Sequence, residues 1–236
     1  MDKINNQRLT WTSKKVLRLV YSDIHSRINN HLISGSVLEV GCGAVTLKEN
    51  IKSVIATDLQ CVSWVDISAD AHNLPFKDEV FANVAFVDTL HHLRSPINFL
   101  KESTRVISVG GRIVMSEPVI TPISRVMYKY FHEERLDFDV DIFSDDVTEN
   151  NPYDGNQAIP TMLYRNIKRL KKEIPNLKFI ERNIHGVFVY PMSGGFRRWS
   201  LLPSVIVKPL LALEKSIEPF IAPFCGFRQI LVFEKL

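Results

Sequence analysis

The sequence predicts a doubly wound α/β fold, with a mostly parallel seven-stranded sheet and an insertion after the fifth strand. Three observations carry this. Short apolar runs alternate with helical periodicity through the first half of the chain. The first run ends in a glycine turn, Gly41-Cys42-Gly43, and the second ends in an acid, Asp58. The length of 236 residues suits one α/β domain with additions.

The elements follow in order. From Ser13 to Ile33, apolar Val16, Leu17, Val20, Ile24, Ile28 and Leu32 recur at helical spacing, with Ser13 as N-cap and Gly35 beyond the end. Ser36–Val40 is a buried strand, Leu47–Ile51 a short helix and Ser53–Thr57 a second strand. Trp64–Ile67 and Phe81–Val87 read as the third and fourth strands. Pro96–Ile107 is a helix opened by proline, Gly110-Gly111 breaks the chain, and Arg112–Ser116 is the fifth strand. Thr161–Ile174 is a basic amphipathic helix, Lys178–Val189 a strand, Leu201–Phe220 a proline-broken helical stretch and Arg228–Phe233 the last strand. This divides the chain into an N-terminal helical segment (1–35), a core (36–118), an insertion or lid (119–160) and a C-terminal half (161–236).

The totals exclude several classes. With 45% hydrophobic and 23% charged residues the chain reads as globular rather than disordered. A net charge of +3 without a dense basic stripe gives no footprint for nucleic acid. Lys168, Arg169, Lys171 and Lys172 read as the solvated face of a helix. Cys42, Cys61 and Cys225 are odd in number and lack paired spacing, so neither a disulfide framework nor a zinc site is expected. Met1–Thr12 lacks the apolar core of a signal peptide, and a cytoplasmic setting is the expectation. The stretch 201–224 is apolar but carries Lys208, Glu214, Lys215, Glu218 and four prolines, which rules out a spanning helix. Packing on the core, capping the site and peripheral contact with a membrane surface all remain open for it.

The chemistry concentrates between Val37 and Asp58. Glycine permits a sharp turn and a close ligand approach, and an acid ending the second strand can accept ribose hydroxyls. A dinucleotide fingerprint would need a third glycine where Thr46 stands, and Glu39 would repel a pyrophosphate. A carboxylate there suits a cation such as the sulfonium and amino group of S-adenosylmethionine. This weighs against an NAD-dependent oxidoreductase.

Val37-Leu38-Glu39-Val40-Gly41-Cys42-Gly43 resembles the first motif of class I S-adenosylmethionine-dependent methyltransferases. The resemblance extends in order and spacing over roughly 36–118 and implies the Rossmann-like methyltransferase fold. By it, Glu39, Gly41, Cys42, Gly43, Asp58, Leu59 and Asp88 surround the donor, and Asp70 and Ala71 contact adenine. The segment Val87–Leu93 places His91 and His92 beside the methyl group as candidate general bases. Glu117 would hold an acceptor hydroxyl or amine. The bland readings are loop orientation for the histidines and ion pairing for Glu117. The best match is the branch acting on metabolites, sugars or lipids. The segments Gly155-Asn156-Gln157-Ala158 and Ser193-Gly194-Gly195-Phe196 resemble members linked to bacterial surface-glycan biosynthesis. The implied reaction is methyl transfer to oxygen of a small-molecule, sugar or lipid-linked acceptor, leaving S-adenosylhomocysteine. The alternative is a degenerate member that binds the donor or serves as a scaffold, motivated by Val45 where the family has a third glycine. Asp137, Asp139 and Asp141 do not form a calcium loop, because Ile142 and Thr148 occupy its glycine and glutamate positions.

Overall fold

The computed structural model describes residues 2–148 and 154–236. The polar stretch 149–153 of the expected insertion lies outside the described residues. Seven strands form one sheet: β1 (Val37–Val40), β2 (Val54–Asp58), β3 (Ile67–Ser68), β4 (Phe81–Val87), β5 (Ile107–Pro118), β6 (Leu177–His185) and β7 (Arg228–Lys235). Their order is β3-β2-β1-β4-β5-β7-β6. The pairs β1·β2, β1·β4, β2·β3 and β4·β5 are parallel, whereas β7 runs antiparallel between β5 and β6. The chain leaves β1 toward one edge and returns to β4 on its other side. The crevice between β1 and β4 is thus a topological switch point, where open α/β sheets bind ligands.

Eight helices accompany the sheet among the described residues: α1 (Asp2–Ser13), α2 (Lys15–Asn29), α3 (Pro96–Val106), α4 (Pro122–Phe131), α5 (Ile159–Arg165), α6 (Ile167–Glu173), α7 (Val189–Met192) and α8 (Ser204–Cys225). Strand side chains alternate between two cores, as the period of two requires. Val84, Phe86, Ile113, Met115, Leu231 and Phe233 face one layer with α3, α5 and α6. Ala85, Val114, Ile230 and Val232 face the other, with Val16, Val20, Ile24 and Ile28 of α2 and Val207 of α8. Phe86 and Phe99, both fully buried, meet edge to face at 5.0 Å. Truncating either to alanine would cost about 3–5 kcal/mol.

A smaller third cluster joins Ile4 and Trp11 of α1 to Leu17, Tyr21, Ala44 and Val45. It seats α1 against the loop that follows β1.

Several boundaries differ from the sequence expectation. Residues 2–13 are helical, and Ser13 belongs to the end of α1, where its hydroxyl donates to the Leu9 carbonyl at 2.8 Å. Lys14, not Ser13, precedes α2. The third strand shrinks to Ile67–Ser68, because Trp64 turns inward and donates from Nε1 to the Gly43 carbonyl at 2.8 Å. Gly110-Gly111 does not end the chain run. Strand β5 starts at Ile107 and shifts register against β4, and a Cβ on Gly111 would stand 2.9 Å from the Ala82 carbonyl oxygen. The helix expected over 161–174 divides at Asn166, whose side chain donates to the Met162 carbonyl. Strand β6 stops at His185, before Gly186 at φ +71°. Helix α8 is continuous through Pro209, Pro219 and Pro223, all three on its exposed side, where freed carbonyls meet water.

Candidate functional site

The carboxyl ends of β1, β2, β4 and β5 meet at one edge of the sheet. Because β7 runs the other way, its first residue, Arg228, reaches the same edge opposite Pro118.

The turn after β1 is built by left-handed backbone. Gly41 has φ +68° and Gly43 φ +54°. A Cβ on Gly41 would stand 2.6 Å from Thr89 Cγ2, so this glycine lets the turn pass close to the end of β4. A Cβ on Gly43 would meet nothing within 4 Å, so the turn borders open space there. Gly43 N–H donates to Asp58 Oδ2 at 2.9 Å, and Gln60 N–H donates to Oδ1 at 2.8 Å. Cys42 N–H donates to the Thr57 carbonyl at 3.0 Å. These bonds lock the ends of β1 and β2 together and hold Asp58, nearly buried, beside the turn. Each of its oxygens retains a lone pair for a further donor.

Glu39 is buried and faces the loop after the turn. Thr46 Oγ1 donates to Oε2 at 2.5 Å and Leu47 N–H to Oε1 at 2.8 Å. Burial raises its carboxyl to about 8 against the pull of those two bonds. A cation brought beside it would restore the ionised form. Val45 is buried in the α1 cluster and is not among the positive-φ residues, so the backbone at 45 has no need of glycine. Arg8 of α1 donates to the Ala44 carbonyl at 3.0 Å and stacks over Trp64. Burial also pushes the Cys42 thiol up, keeping it neutral.

Leu59 is exposed beyond Asp58. Asp70 is brought near by the Ala69 N–H, which donates to the Asp58 carbonyl at 2.9 Å. Its carboxylate accepts from the His72 main chain and lies 2.9 Å from His72 Nδ1. Ala71 is half-buried against the larger core.

A second group gathers at the ends of β4 and β5. Glu117 is fully buried, and its Oε1 accepts from both Thr89 and Leu90 N–H at 2.8 Å. Its Oε2 lies 2.6 Å from His91 Nδ1. The other nitrogen, His91 Nε2, is 3.3 Å from Glu134 Oε2, and His92 Nε2 is 3.9 Å from Glu134 Oε1. Burial pulls His91 down, but Glu117 and then Glu134 outweigh it and lift the imidazole to about 10. His91 is therefore an imidazolium held between two carboxylates. Burial raises Glu134, yet its hydrogen bond and proximity to His91 bring it down to about 2. Burial and then the His91 charge lower His92 to about 4, which leaves it a neutral imidazole. The atoms of His91, His92 and Glu134 lie close enough together to ligate a cation, as do those of Asp88, His91 and Glu117. In both sets the proton-bearing His91 provides the positive charge.

Asp88 takes a left-handed φ of +53°, uncommon for a residue with a side chain. Arg228, 1% exposed, donates from Nη1 to Asp88 Oδ2 at 3.0 Å, and its Nη2 is 2.9 Å from Oδ1. Arg228 also donates to the Tyr190 hydroxyl and the Ser116 carbonyl, both at 3.0 Å. The structure thus brings together Glu39, Gly41, Gly43 and Asp58 in one group and Asp88, His91, His92 and Glu117 in another. Asp70 and Ala71 sit at the outer side of β2.

Sequence reading missed Arg228, Tyr190, Glu134 and Trp64. A lone arginine opening an apolar strand, Arg228-Gln229-Ile230-Leu231, was a usable signal. Glu134 gave none, because it lies in a polar insertion whose path only the fold reveals.

Residues 38–115 match the family model described as a methyltransferase domain. No curated protein matches the chain by sequence. Among solved structures, a SAM-dependent methyltransferase from Archaeoglobus fulgidus superposes with a TM-score of 0.55 at 14% identity, covering 92% of this chain and 93% of its own. Geranyl diphosphate C-methyltransferase from Streptomyces coelicolor A3(2), in complex with Mg2+, geranyl diphosphate and S-adenosyl-L-homocysteine, gives 0.51 at 11% identity, with 91% and 78% covered. At these identities the likeness is one of fold. Residues 38–115 thus match a methyltransferase-domain model, within a seven-stranded Rossmann-like fold shared with S-adenosylmethionine-dependent methyltransferases.

Proposed function

We propose that this protein transfers a methyl group from S-adenosylmethionine to a hydroxyl oxygen of a small, lipid-linked or glycan-type acceptor. The observation that carries this reading is the open space beside Gly43, bordered by Asp58 and lying at the same sheet edge as His92 and Glu134. Gly41 to Gly43 and Asp58 would cradle the donor's amino-acid part and ribose. Leu59, Asp70 and Ala71 would border the base, and Glu39 would add negative charge beneath a cationic ligand. Cys42 would offer main chain only.

Bound there, the donor would supply a methyl already activated by the sulfonium. The protein's task is then to hold the acceptor oxygen in line and exclude water. As the carbon–sulfur bond breaks and the carbon–oxygen bond forms, the hydroxyl proton passes to His92 Nε2. His92 suits this because it is neutral and partly exposed, with Glu134 nearby to stabilise the imidazolium that results. His91 and Glu117 position this loop, and Asp88 with Arg228 braces the end of β4.

Calorimetry with S-adenosylhomocysteine tests the reading. The unmodified protein should bind it. Asp58→Asn should weaken binding by about ten- to a hundredfold, the value of a charged hydrogen bond. Absence of any affinity in the unmodified protein would overturn the proposal. Binding with no turnover on any hydroxyl acceptor would favour a non-catalytic module, the reading that Val45 motivated. The packing of Val45 against α1 weighs against it.

A further inference from the structure

Helices α4 and α8 both turn large apolar side chains outward. In α4 the outward residues are Ile123, Val126, Met127, Tyr130 and Phe131, between 38% and 67% exposed. They fall at i, i+3, i+4, i+7 and i+8, one continuous apolar stripe. The buried side carries Ser124 and Tyr128. In α8 the acids point inward. Glu214 accepts the N–H groups of Val187, Phe188 and Val189, and Glu218 pairs with Arg27 at 2.9 Å. Val205, Ile206, Leu213, Phe220 and Phe224 point outward, with Val205 and Phe220 nearly four-fifths exposed.

The two stripes belong to one face. Helix α4 begins beside the end of α8, where Thr121 Oγ1 donates to the Gly226 carbonyl at 3.1 Å and Tyr128 to the Phe227 carbonyl at 2.8 Å. At the other end of α4 the Phe131 carbonyl accepts from Arg197. Arg197 opens a loop that exposes Trp199 and Leu201 on the way into α8. Apolar side chains gathered on one face in this way mark an interaction surface.

The charges on this face have one sign. Arg125 and Lys129 on α4, Arg197 and Arg198 in the loop, and Lys208 on α8 are all exposed. Among the described residues no acid lies on the outer side of either helix. The first to follow α4 is Glu133, beyond its last turn. A second copy of the chain docked through this face by a two-fold axis would set these cations against their own counterparts.

We propose that α4, α8 and the loop 197–201 form a docking face for an anionic lipid bilayer. Apolar side chains enter the boundary between headgroups and acyl chains. Trp199, Tyr130 and Phe131 sit near the interface, and the basic groups meet acidic headgroups. The protein lies on the membrane rather than in it, since no described helix is long and apolar enough to cross one. Helix α4 ends three residues before Glu134, so an acceptor held by a lipid tail in the bilayer would have its polar end delivered to the candidate site. That consequence deepens the lipid-linked reading given above and rests on it. The docking face itself does not.

The test is sedimentation with phosphatidylcholine vesicles, with and without a third of phosphatidylglycerol, in low and high salt and without donor or acceptor. The expected result is binding to the anionic vesicles at least about tenfold stronger than to neutral ones, weakened by salt as screening requires. The double substitution Phe220→Ser/Phe224→Ser should reduce binding by about tenfold or more, since both rings are lost from the buried apolar area. Arg197→Glu/Arg198→Glu should reduce the anionic preference. Both variants alter exposed residues, and unchanged circular dichroism and S-adenosylhomocysteine binding confirm that they fold. No sedimentation with anionic vesicles overturns the proposal. So does a dimer in ultracentrifugation that the phenylalanine variant converts to monomer. Vesicle binding by a protein without donor affinity would sink the enzymatic reading and leave this one standing.

Discussion

Replacing Glu117 by glutamine should give a stability loss that fades as pH rises. Glutamine keeps the shape, and its carbonyl oxygen can still accept from Thr89 and Leu90 N–H, so the change falls on the contact with His91. In the folded protein His91 rises from 6.5 to about 10, despite its burial, because of Glu117 and then Glu134. That rise corresponds to about 5 kcal/mol of folded-state preference for the charged imidazole. Glu117 is the stronger of the two carboxylates in sustaining it, so its removal should cost about 2–3 kcal/mol. A folded-state value raised above the unfolded one stabilises fully below the unfolded value and is lost as pH climbs through the folded value. The difference between parent and Glu117→Gln should therefore be complete near pH 6 and largely gone near pH 10. At pH 6 it should lower Tm by about 4–12 °C for a chain of this size. Urea unfolding followed by circular dichroism at both pH values measures it, and contributions from His25 and His185 cancel in the difference. An equal penalty at pH 6 and pH 10 would refute the imidazolium held between two carboxylates.

Other substitutions separate the parts of the site. Gly41→Ala should destabilise more than Gly43→Ala in thermal unfolding. Both meet positive φ, at about 1–2 kcal/mol, but only the first drives a Cβ into Thr89. His92→Ala should lower kcat by about a hundredfold or more while leaving S-adenosylhomocysteine binding unchanged in calorimetry. Loss of donor binding instead would make His92 a structural residue. Arg228→Met should cost about 3 kcal/mol by leaving Asp88 without its cation, and adding Asp88→Asn should recover part of that loss as a measurable coupling energy.

The sheet and the first half of the site were legible because local rules and the global fold agree there. The pattern of β4, Phe81 to Val87, predicted its bounds to the residue, and its alternation assigns Val84 and Phe86 to one core and Ala85 to the other. The turn at Gly41 to Gly43 and the acid at Asp58 were readable because short-range backbone geometry demands them. Glu39 stands beside the turn by its place in the chain, but its partners, Thr46 and Leu47, depend on how the following loop folds back. Arg228 is 140 positions from Asp88, and only the reversal of β7 puts the two at one edge.

The least legible part was which way an amphipathic helix faces. Periodicity in 204–225 gives a stripe but no direction, so core packing, capping and membrane contact all stay open for it, and 122–131 reads only as part of the insertion. In α8 two acids take inner places beside Val207 for an identifiable reason. Three N–H groups of the turn entering α7 converge on Glu214, and Arg27 of α2 needs a second carboxylate beyond Asp23. Sealing both acids against the core satisfies groups that would otherwise be buried without partners, at a cost of about 1–3 kcal/mol each. It also forces the opposite side, with Val205, Leu213 and Phe220, into solvent. The three prolines share that outward side, where lost main-chain bonds are cheapest. The outward turn of this stripe is thus set by polar satisfaction inside.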